Sequence, residues 1–336
     1  MENHILNRRR VIQGAAALLA SPAIAQQSPW LPVAEAANEL DQLHAIKVAK
    51  AGKDVFTQVF RGPSESRLVP IKSVSKTVVA ALTGAALDRG EIPNVNASLG
   101  DLAPKLIPDD ADPRVAEITV QNLVTMQAGL ERTSGANYGS WVSSRNWVAD
   151  ALSRPIVAQP GSRMLYSTGS FHILGAVLSE VSGKSLLTLA RERLGDPLGV
   201  EIPAWTRDPQ GRYLGGNEMA LTLDGMVAFG EMYRRQGALD GARVLSEDWV
   251  RTSFQPQTRS PFSGLQYGYG WFLGRADGAD FALARGYGGQ IICVVPERSL
   301  TFAITSDPLR PARSEGYFGD LMTLIESQIL PAARAA

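Results

Sequence analysis

Residues 43–49 and 55–61, apolar stretches interrupted by one or two polar residues at a time, read as two strands, and Gly52-Lys53-Asp54 between them reads as a hairpin-like turn. After Ser73 the period changes. Val74, Val78, Ala81, Leu82, Ala85 and Ala86 recur at helical spacing, and Gly90 supplies a C-terminal stop. Residues 92 to 245 read as mainly helical, broken by proline- and glycine-punctuated loops. The clearest predicted helices cover 119–126, 147–152, 170–182, 185–194 and 223–236. Strand patterns return at 267–273, 281–285, 290–295 and 300–305, and a last helix is predicted over 313–329.

The order is therefore strands, a long helical insert, strands, helix. Strands from both ends most simply join one antiparallel sheet, with the helical block as a second lobe. This predicts an α/β (α+β) fold with a sheet lobe at about 40–72 and 260–336 and a helical lobe at about 77–245. Ser73 leaves the sheet region and enters the helical one, so it is expected at the seam, where sites often form. No internal repeat or low-complexity run is seen.

Composition narrows the class. The chain has 336 residues, 45% of them hydrophobic, enough for a large core in one large domain or two smaller ones. The formal net charge of +0 gives no bulk attraction to nucleic acid or an anionic surface. The 32 glycines and 20 prolines fit a loop-rich enzyme better than a helical bundle.

Arg8-Arg9-Arg10-Val11-Ile12, a short apolar run from Gly14 to Ala20, and Ser21-Pro22-Ala23-Ile24-Ala25 read together as a secretory signal. The paired arginines point to the twin-arginine type, with cleavage near Ala25 and a periplasmic or secreted product. A membrane anchor is the other reading, but the run is too short to span a bilayer. No later segment is apolar enough to do so, and no stable membrane insertion is expected after cleavage. Loss of three arginines and one glutamate would leave 30 basic and 32 acidic residues, a formal charge of −2.

Metal and cofactor chemistry find little support. Cys293 is the only cysteine, so no internal disulfide is expected, and its apolar strand argues for an inert thiol over a nucleophile. His4, His44 and His172 are scattered, and neither H-x-x-x-H nor C-x-x-C occurs. Asp101, Asp109, Asp110 and Asp112 surround Pro108 and Pro113; we read a solvated loop there rather than a calcium site. No phosphate-binding glycine loop is present, so no cofactor and no metal are expected.

One pair carries chemistry. Ser73 and Lys76 form the chain's only S-x-x-K, and a spacing of three puts both side chains on one helical face. A hydroxyl at a helix N-terminus with an amine beside it is an arrangement for nucleophilic catalysis without histidine. Lys76 acts as base only when neutral. Burial lowers a lysine pKa, as does a nearby cation; Lys72, next to Ser73 and four residues before Lys76, could add such repulsion, and the sequence does not say whether it faces the site. The helix N-terminus offers free N–H groups for an oxyanion. Alone, the pair reads equally well as a capping serine with a solvated lysine.

Two further segments bear on that choice. Residues 160–170, from Pro160 to Ser170, form a turn, a short extended piece and a second turn, projecting Tyr166 and Ser167. Arg285-Gly286-Tyr287-Gly288-Gly289-Gln290 stands at a strand start, where glycines admit close approach of a ligand or backbone. In this order and spacing the three elements resemble the serine β-lactamase and penicillin-binding protein superfamily. The nearest likeness is to class C β-lactamase-like hydrolases, including family VIII esterases and 6-aminohexanoate-oligomer hydrolases. The likeness runs from about Leu43 to Leu330. The stretch from Ile118 to Leu130 is similar to the family's "ITVRHLLTMTSGL", and Gly215 to Thr222 leading to Phe229-Gly230 is similar to its "GGL-x-LT…DMARFG". The resemblance implies one hydrolase domain over 26–336.

It also implies roles. Ser73 would be the acyl-forming nucleophile, with Lys76 and Tyr166 sharing the proton work. The backbone N–H groups of Ser73 and Gln290 would form the oxyanion hole, and Tyr287, Gly288, Gly289, Ser167 and Thr168 would meet substrate. Tyr138 and Trp141 cluster with Trp147 before the tyrosine loop, and read either as an acyl or alcohol pocket or as lobe packing. The departures concern substrate. The family's Y-x-N box reads Tyr166-Ser167-Thr168, without the amide. Its K-T-G or H-x-G box reads Tyr287-Gly288-Gly289, without the cation. Arg285 would share a strand face with Tyr287 and could replace that cation, although a structural surface charge is the simpler expectation. The expected function is an exported serine hydrolase of a small ester or amide. A β-lactamase or D-Ala-D-Ala carboxypeptidase, and a non-catalytic binding module on the same fold, are the alternatives. The oligomeric state is not legible.

Overall fold

The computed structural model describes residues 28–336. The twin-arginine pattern at residues 1–25 lies outside the described residues, apart from any structural account.

Eight strands build one antiparallel sheet. In chain order they are β1 (Leu43–Lys50), β2 (Lys53–Val59), β3 (Thr258–Arg259), β4 (Gln266–Tyr267), β5 (Phe272–Ala276), β6 (Ala279–Gly286), β7 (Gln290–Val295) and β8 (Leu300–Ser306). Their order across the sheet is β2-β1-β8-β7-β6-β5-β4-β3. The first hairpin therefore joins the last strand, with Leu43 opposite Ser306 and Lys50 opposite Leu300. Every residue of β7 and β8 is buried, because helices cover both sheet faces. That is why these two strands read as continuous apolar runs, while β2 on the edge is mostly exposed.

The helix Leu223–Arg234 lies directly on the sheet. A Cβ at Gly230 would stand 2.6 Å from Thr301 Cγ2 and 3.0 Å from Ile292 Cγ2, so the missing side chain sets the approach. The terminal helices Leu31–Asn38 and Tyr317–Leu324 pack together, and Lys50 and Arg298 each donate to a carbonyl of the last helix, at Ala333 and Leu330. The longest helices of the intervening segment are Ser75–Asp88 and Thr168–Ser182.

Three predicted elements differ. The strand expected over 267–273 is two short strands, β4 and β5. Gly268 and Gly270 bend the chain between them, and the Gly270 carbonyl accepts a hydrogen bond of 2.7 Å from Thr77 Oγ1. The helix expected over 119–126 is Val120–Val124, followed by Met126 at φ 58°. The last helix begins at Tyr317 rather than residue 313, and continues through a wide turn at Ile325–Ile329 to Ala335.

Candidate active site

Ser73 does not stand on the long helix. It occupies a tight turn, Lys72–Val74, immediately before Ser75–Asp88. That turn is fixed from two sides. Gly286 of β6 approaches so closely that a Cβ there would lie 2.4 Å from the Ile71 carbonyl oxygen. On the other side the strand pair Val69–Pro70 and Ala220–Leu221 holds it, with Ile71 N–H donating to the Met219 carbonyl at 2.9 Å. Ser75 extends the join by donating to the Lys72 carbonyl at 2.6 Å and accepting from Met219 N–H at 3.2 Å.

Lys76 lies inside the protein, 2% exposed. Its Nζ donates to Ser73 Oγ at 3.0 Å, to Thr168 Oγ1 at 3.3 Å and to the Gly216 carbonyl at 2.6 Å. The Tyr166 ring centroid is 5.1 Å from Nζ. Burial lowers the lysine pKa, with the Tyr166 hydroxyl pulling it partly back up. Lys72 does not face Lys76 as a bare cation. Its Nζ turns away to Glu218, 3.1 Å from Oε1 and 3.3 Å from Oε2, which pairs the charge.

Ser73 and Tyr166 open on a cavity of about 350 Å³, whose wall includes Phe262, Arg285, Tyr287 and Arg313. Arg285 is no surface charge. Its guanidinium lies 3.4 Å above the Phe318 ring, donates to the Ala312 carbonyl at 2.9 Å and to Ser314 Oγ at 3.2 Å, and burial brings its pKa down to about 10. A larger cleft of about 480 Å³ beside β5 and β6 contains no paired nucleophile and base.

Several expected site residues sit elsewhere. Gln290 is 1% exposed, pairs in register with Gly286, and exchanges side-chain hydrogen bonds with the Ser306 backbone at 2.8 and 3.2 Å. Its side chain is held inside the sheet, and the residue is absent from the cavity wall. Tyr287, three residues earlier, is 52% exposed and reaches the cavity. Gly288 and Gly289 face away from it: a Cβ at Gly288 would meet the Asp307 carbonyl at 2.3 Å, and one at Gly289 the Tyr317 ring at 2.6 Å. Ser167 is buried and bonded to Thr133, whereas Thr168 joins Lys76. Trp141 is fully buried, donates to the Trp147 carbonyl at 2.8 Å and packs with Trp147 and Leu214, so the lobe-packing reading applies. Tyr138 accepts from Asn217 Nδ2 at 3.2 Å and lies off the cavity wall.

Sequence reasoning missed the Gly216 carbonyl, Phe262 and Arg313. A carbonyl has no side-chain signature, and Phe262 and Arg313 lie in loops without period. Among the described residues no group of three or more His, Cys, Asp or Glu could hold a metal ion, and no single helix is long and apolar enough to cross a membrane.

The fold, and a serine at the cavity wall backed by a buried lysine, are those of serine hydrolases of the β-lactamase type. A family model described as Beta-lactamase matches residues 41–321, and the chain belongs to that family. Protein Rv1367c of Mycobacterium tuberculosis is 25% identical over 307 residues, covering 75% of this chain and 69% of that protein. The Escherichia coli D-alanyl-D-alanine-carboxypeptidase/endopeptidase AmpH is 28% identical over 154 residues, only 44% of this chain and 39% of its own. Among solved structures, a Bacillus anthracis protein provisionally assigned as a 6-aminohexanoate-dimer hydrolase superposes with TM-score 0.76 at 18% identity, over 90% of this chain and 81% of that one. EstCE1, a hydrolase with promiscuous acyltransferase activity, gives TM-score 0.76 at 16% identity, over 91% and 100%. A Streptomyces D-stereospecific amidohydrolase gives 0.72 at 16% identity, over 90% and 98%.

Proposed function

We propose that this protein hydrolyses a small ester or amide through an acyl-enzyme on Ser73. The observation that carries the reading is the 3.0 Å contact between Ser73 Oγ and an amine buried at 2% exposure. A buried lysine is neutral more readily, and a neutral amine can take the serine proton. Ser73 Oγ then attacks the acyl carbon, its proton passing to Lys76 Nζ. Tyr166, which faces both the amine and the cavity, relays a proton to the leaving oxygen or nitrogen as the acyl bond breaks. Water attacks the acyl-enzyme in the second half, giving its proton to the same pair and releasing the acid.

The developing oxyanion needs two N–H donors. Ser73, at the start of its helical turn, supplies one. Tyr287 supplies the other in our reading, since it follows Gly286, which packs on Ile71, and its N–H has no backbone partner among the described residues. A fluorophosphonate probe tests the nucleophile: wild type is labelled and Ser73→Ala is not. Equal labelling of both would sink the assignment.

A second reading, a β-lactamase or D-Ala-D-Ala carboxypeptidase, draws on Arg285. Its guanidinium in the cavity wall offers a cation where the third box lacks one. Efficient nitrocefin turnover would put this reading first; slow turnover beside fast p-nitrophenyl ester hydrolysis keeps the ester or amide reading. Export through the twin-arginine route is proposed from the Arg8–Ala25 pattern alone. Cell fractionation with and without Arg8→Lys and Arg9→Lys tests it.

A further inference from the structure

His172 lies one turn beyond Thr168 on the helix Thr168–Ser182 and is fully buried. Its Nε2 is 3.1 Å from Asp208 Oδ2, and its Nδ1 is 3.3 Å from the backbone nitrogen of Gly215. A peptide N–H can only donate, so Nδ1 must accept and carry no proton. The ring proton then sits on Nε2, where the Asp208 carboxylate receives it. Asp208 is itself fixed, accepting from the N–H groups of Gln210 at 2.9 Å and Arg212 at 2.8 Å on Oδ1. The edges of Trp141 and Trp147 close over the imidazole, with ring centroids at 5.8 and 5.7 Å.

Gly215 immediately precedes Gly216, whose carbonyl accepts from Lys76 Nζ at 2.6 Å. The two glycines form a strip pressed flat on the helix. A Cβ at Gly215 would stand 2.1 Å from the Phe171 carbonyl, and one at Gly216 would stand 3.1 Å from the Thr168 carbonyl. A single peptide unit thus separates the hydrogen bond to the imidazole from the hydrogen bond to the lysine.

We propose that His172, oriented by Asp208, is a positioning residue for Lys76: its bare Nδ1 holds the Gly215–Gly216 strip where the Gly216 carbonyl directs the amine at Ser73. This rests on the reading of Lys76 as the base for Ser73. A proton on Nδ1 would turn the acceptor into a donor facing the Gly215 N–H, and the strip would lose its anchor. The charged groups facing the ring are Asp208 and Arg212, with Glu180 3.9 Å beyond Arg212. Burial pushes the ring's pKa down, Asp208 pulls it up and Arg212 pushes it down again. The net direction is down, so the strip stays anchored at neutral pH and is released on the acid side.

Two substitutions separate positioning from mere stability. Asn places an acceptor oxygen near Nδ1, and Gln places a donor nitrogen near Nε2. We expect His172→Asn to be acylated by the fluorophosphonate within about threefold of wild type, without the acid limb that the ring contributes. We expect His172→Gln to keep the Asp208 partner and the fold but to acylate about tenfold more slowly, the size of one lost hydrogen bond, with KM for a p-nitrophenyl ester unchanged. ¹⁵N spectra of histidine-labelled wild type should show the Nε2–H tautomer for His172, a readout that needs no activity. Wild-type acylation by His172→Gln, an Nδ1–H tautomer, or slowing of both variants in step with a lowered Tm would each overturn the proposal. A wild-type protein that takes no label would overturn the acyl-enzyme reading, and this inference with it.

Discussion

Lys72 and Glu218 both hold left-handed backbones, at φ 51° and 67°, and their side chains meet at 3.1 Å. One is the residue before Ser73; the other is two residues after the carbonyl that receives Lys76. The ion pair therefore ties two strained peptides together across the site. Each left-handed non-glycine residue costs roughly 1–2 kcal/mol, which the surrounding contacts must offset.

This pair can be tested by removing it from either end. Glu218→Gln is expected to lower stability by about 1 kcal/mol and to slow fluorophosphonate acylation several-fold. In Lys72→Gly the relaxed backbone returns about as much as the lost pair removes, so Tm should stay near wild type while acylation still slows. Wild-type acylation rates in both would show that the clamp has no part in placing Ser73.

Lys76→Met removes the proposed base and should cut acylation by about 10²–10⁴-fold. It should also raise Tm at neutral pH. Burial lowers the Lys76 pKa, so the unfolded chain binds more protons than the folded one between the folded value and about 10.4. Wild-type stability consequently rises with pH across that window, and the variant's advantage should shrink as pH climbs towards the lysine's ordinary value. Thermal melts at several pH values read this directly. A constant difference across pH would mean that the burial penalty is absent.

Arg285 stacks on Phe318 and borders the cavity with two polar partners but no carboxylate within ion-pairing distance among the described residues. Arg285→Gln should raise KM about tenfold for an ester carrying a carboxylate, the scale of one charge-assisted hydrogen bond, and leave a neutral ester of equal size within about twofold. Equal effects on both esters would assign the arginine to packing alone.

Gly286→Ala places a methyl 2.4 Å from the Ile71 carbonyl, and backbone cannot yield as a flexible side chain does. The expected cost is about 1–3 kcal/mol, with acylation reduced because the Ser73 turn must move. Gly278→Ala, where no atom stands within 4 Å of the added carbon, is a control for added volume, though its φ of 77° adds strain of its own. Gly286→Ala with wild-type Tm and acylation would show that the turn is not set by this contact.

The sheet was largely legible because β7 and β8, buried on both faces, leave uninterrupted apolar runs, and β1 leaves a periodic one. The bend at Gly268–Gly270 was not, because Tyr267, Phe272 and Leu273 keep a strand-like pattern across it. Ser73 and Lys76 could be named from local spacing, and Tyr166 from the likeness of its loop to the family's tyrosine box. The Gly216 carbonyl and the turn away of Lys72 to Glu218 could not, since both depend on a segment some 140 residues distant, Gly216 and Glu218 being 140 and 146 positions from their partners. Gln290 and Tyr287 illustrate the same limit: three residues apart in a hairpin, one is locked in the ladder and the other reaches the cavity. His172 carried no motif, and its partners Asp208 and Gly215 come from another segment.

The pairing of β1 with β8 has a consequence in time. Leu43 and Ser306 must meet before the first hairpin has a neighbour, and closing so long a chain is slow. The Ser73 turn is wedged between Ile71's contact with β6 and its bond to Met219, so it is set only once the first segment has docked. In refolding, the ability to take an acyl label should therefore return with the slowest phase, and an active-site probe reports that the two ends of the chain have closed.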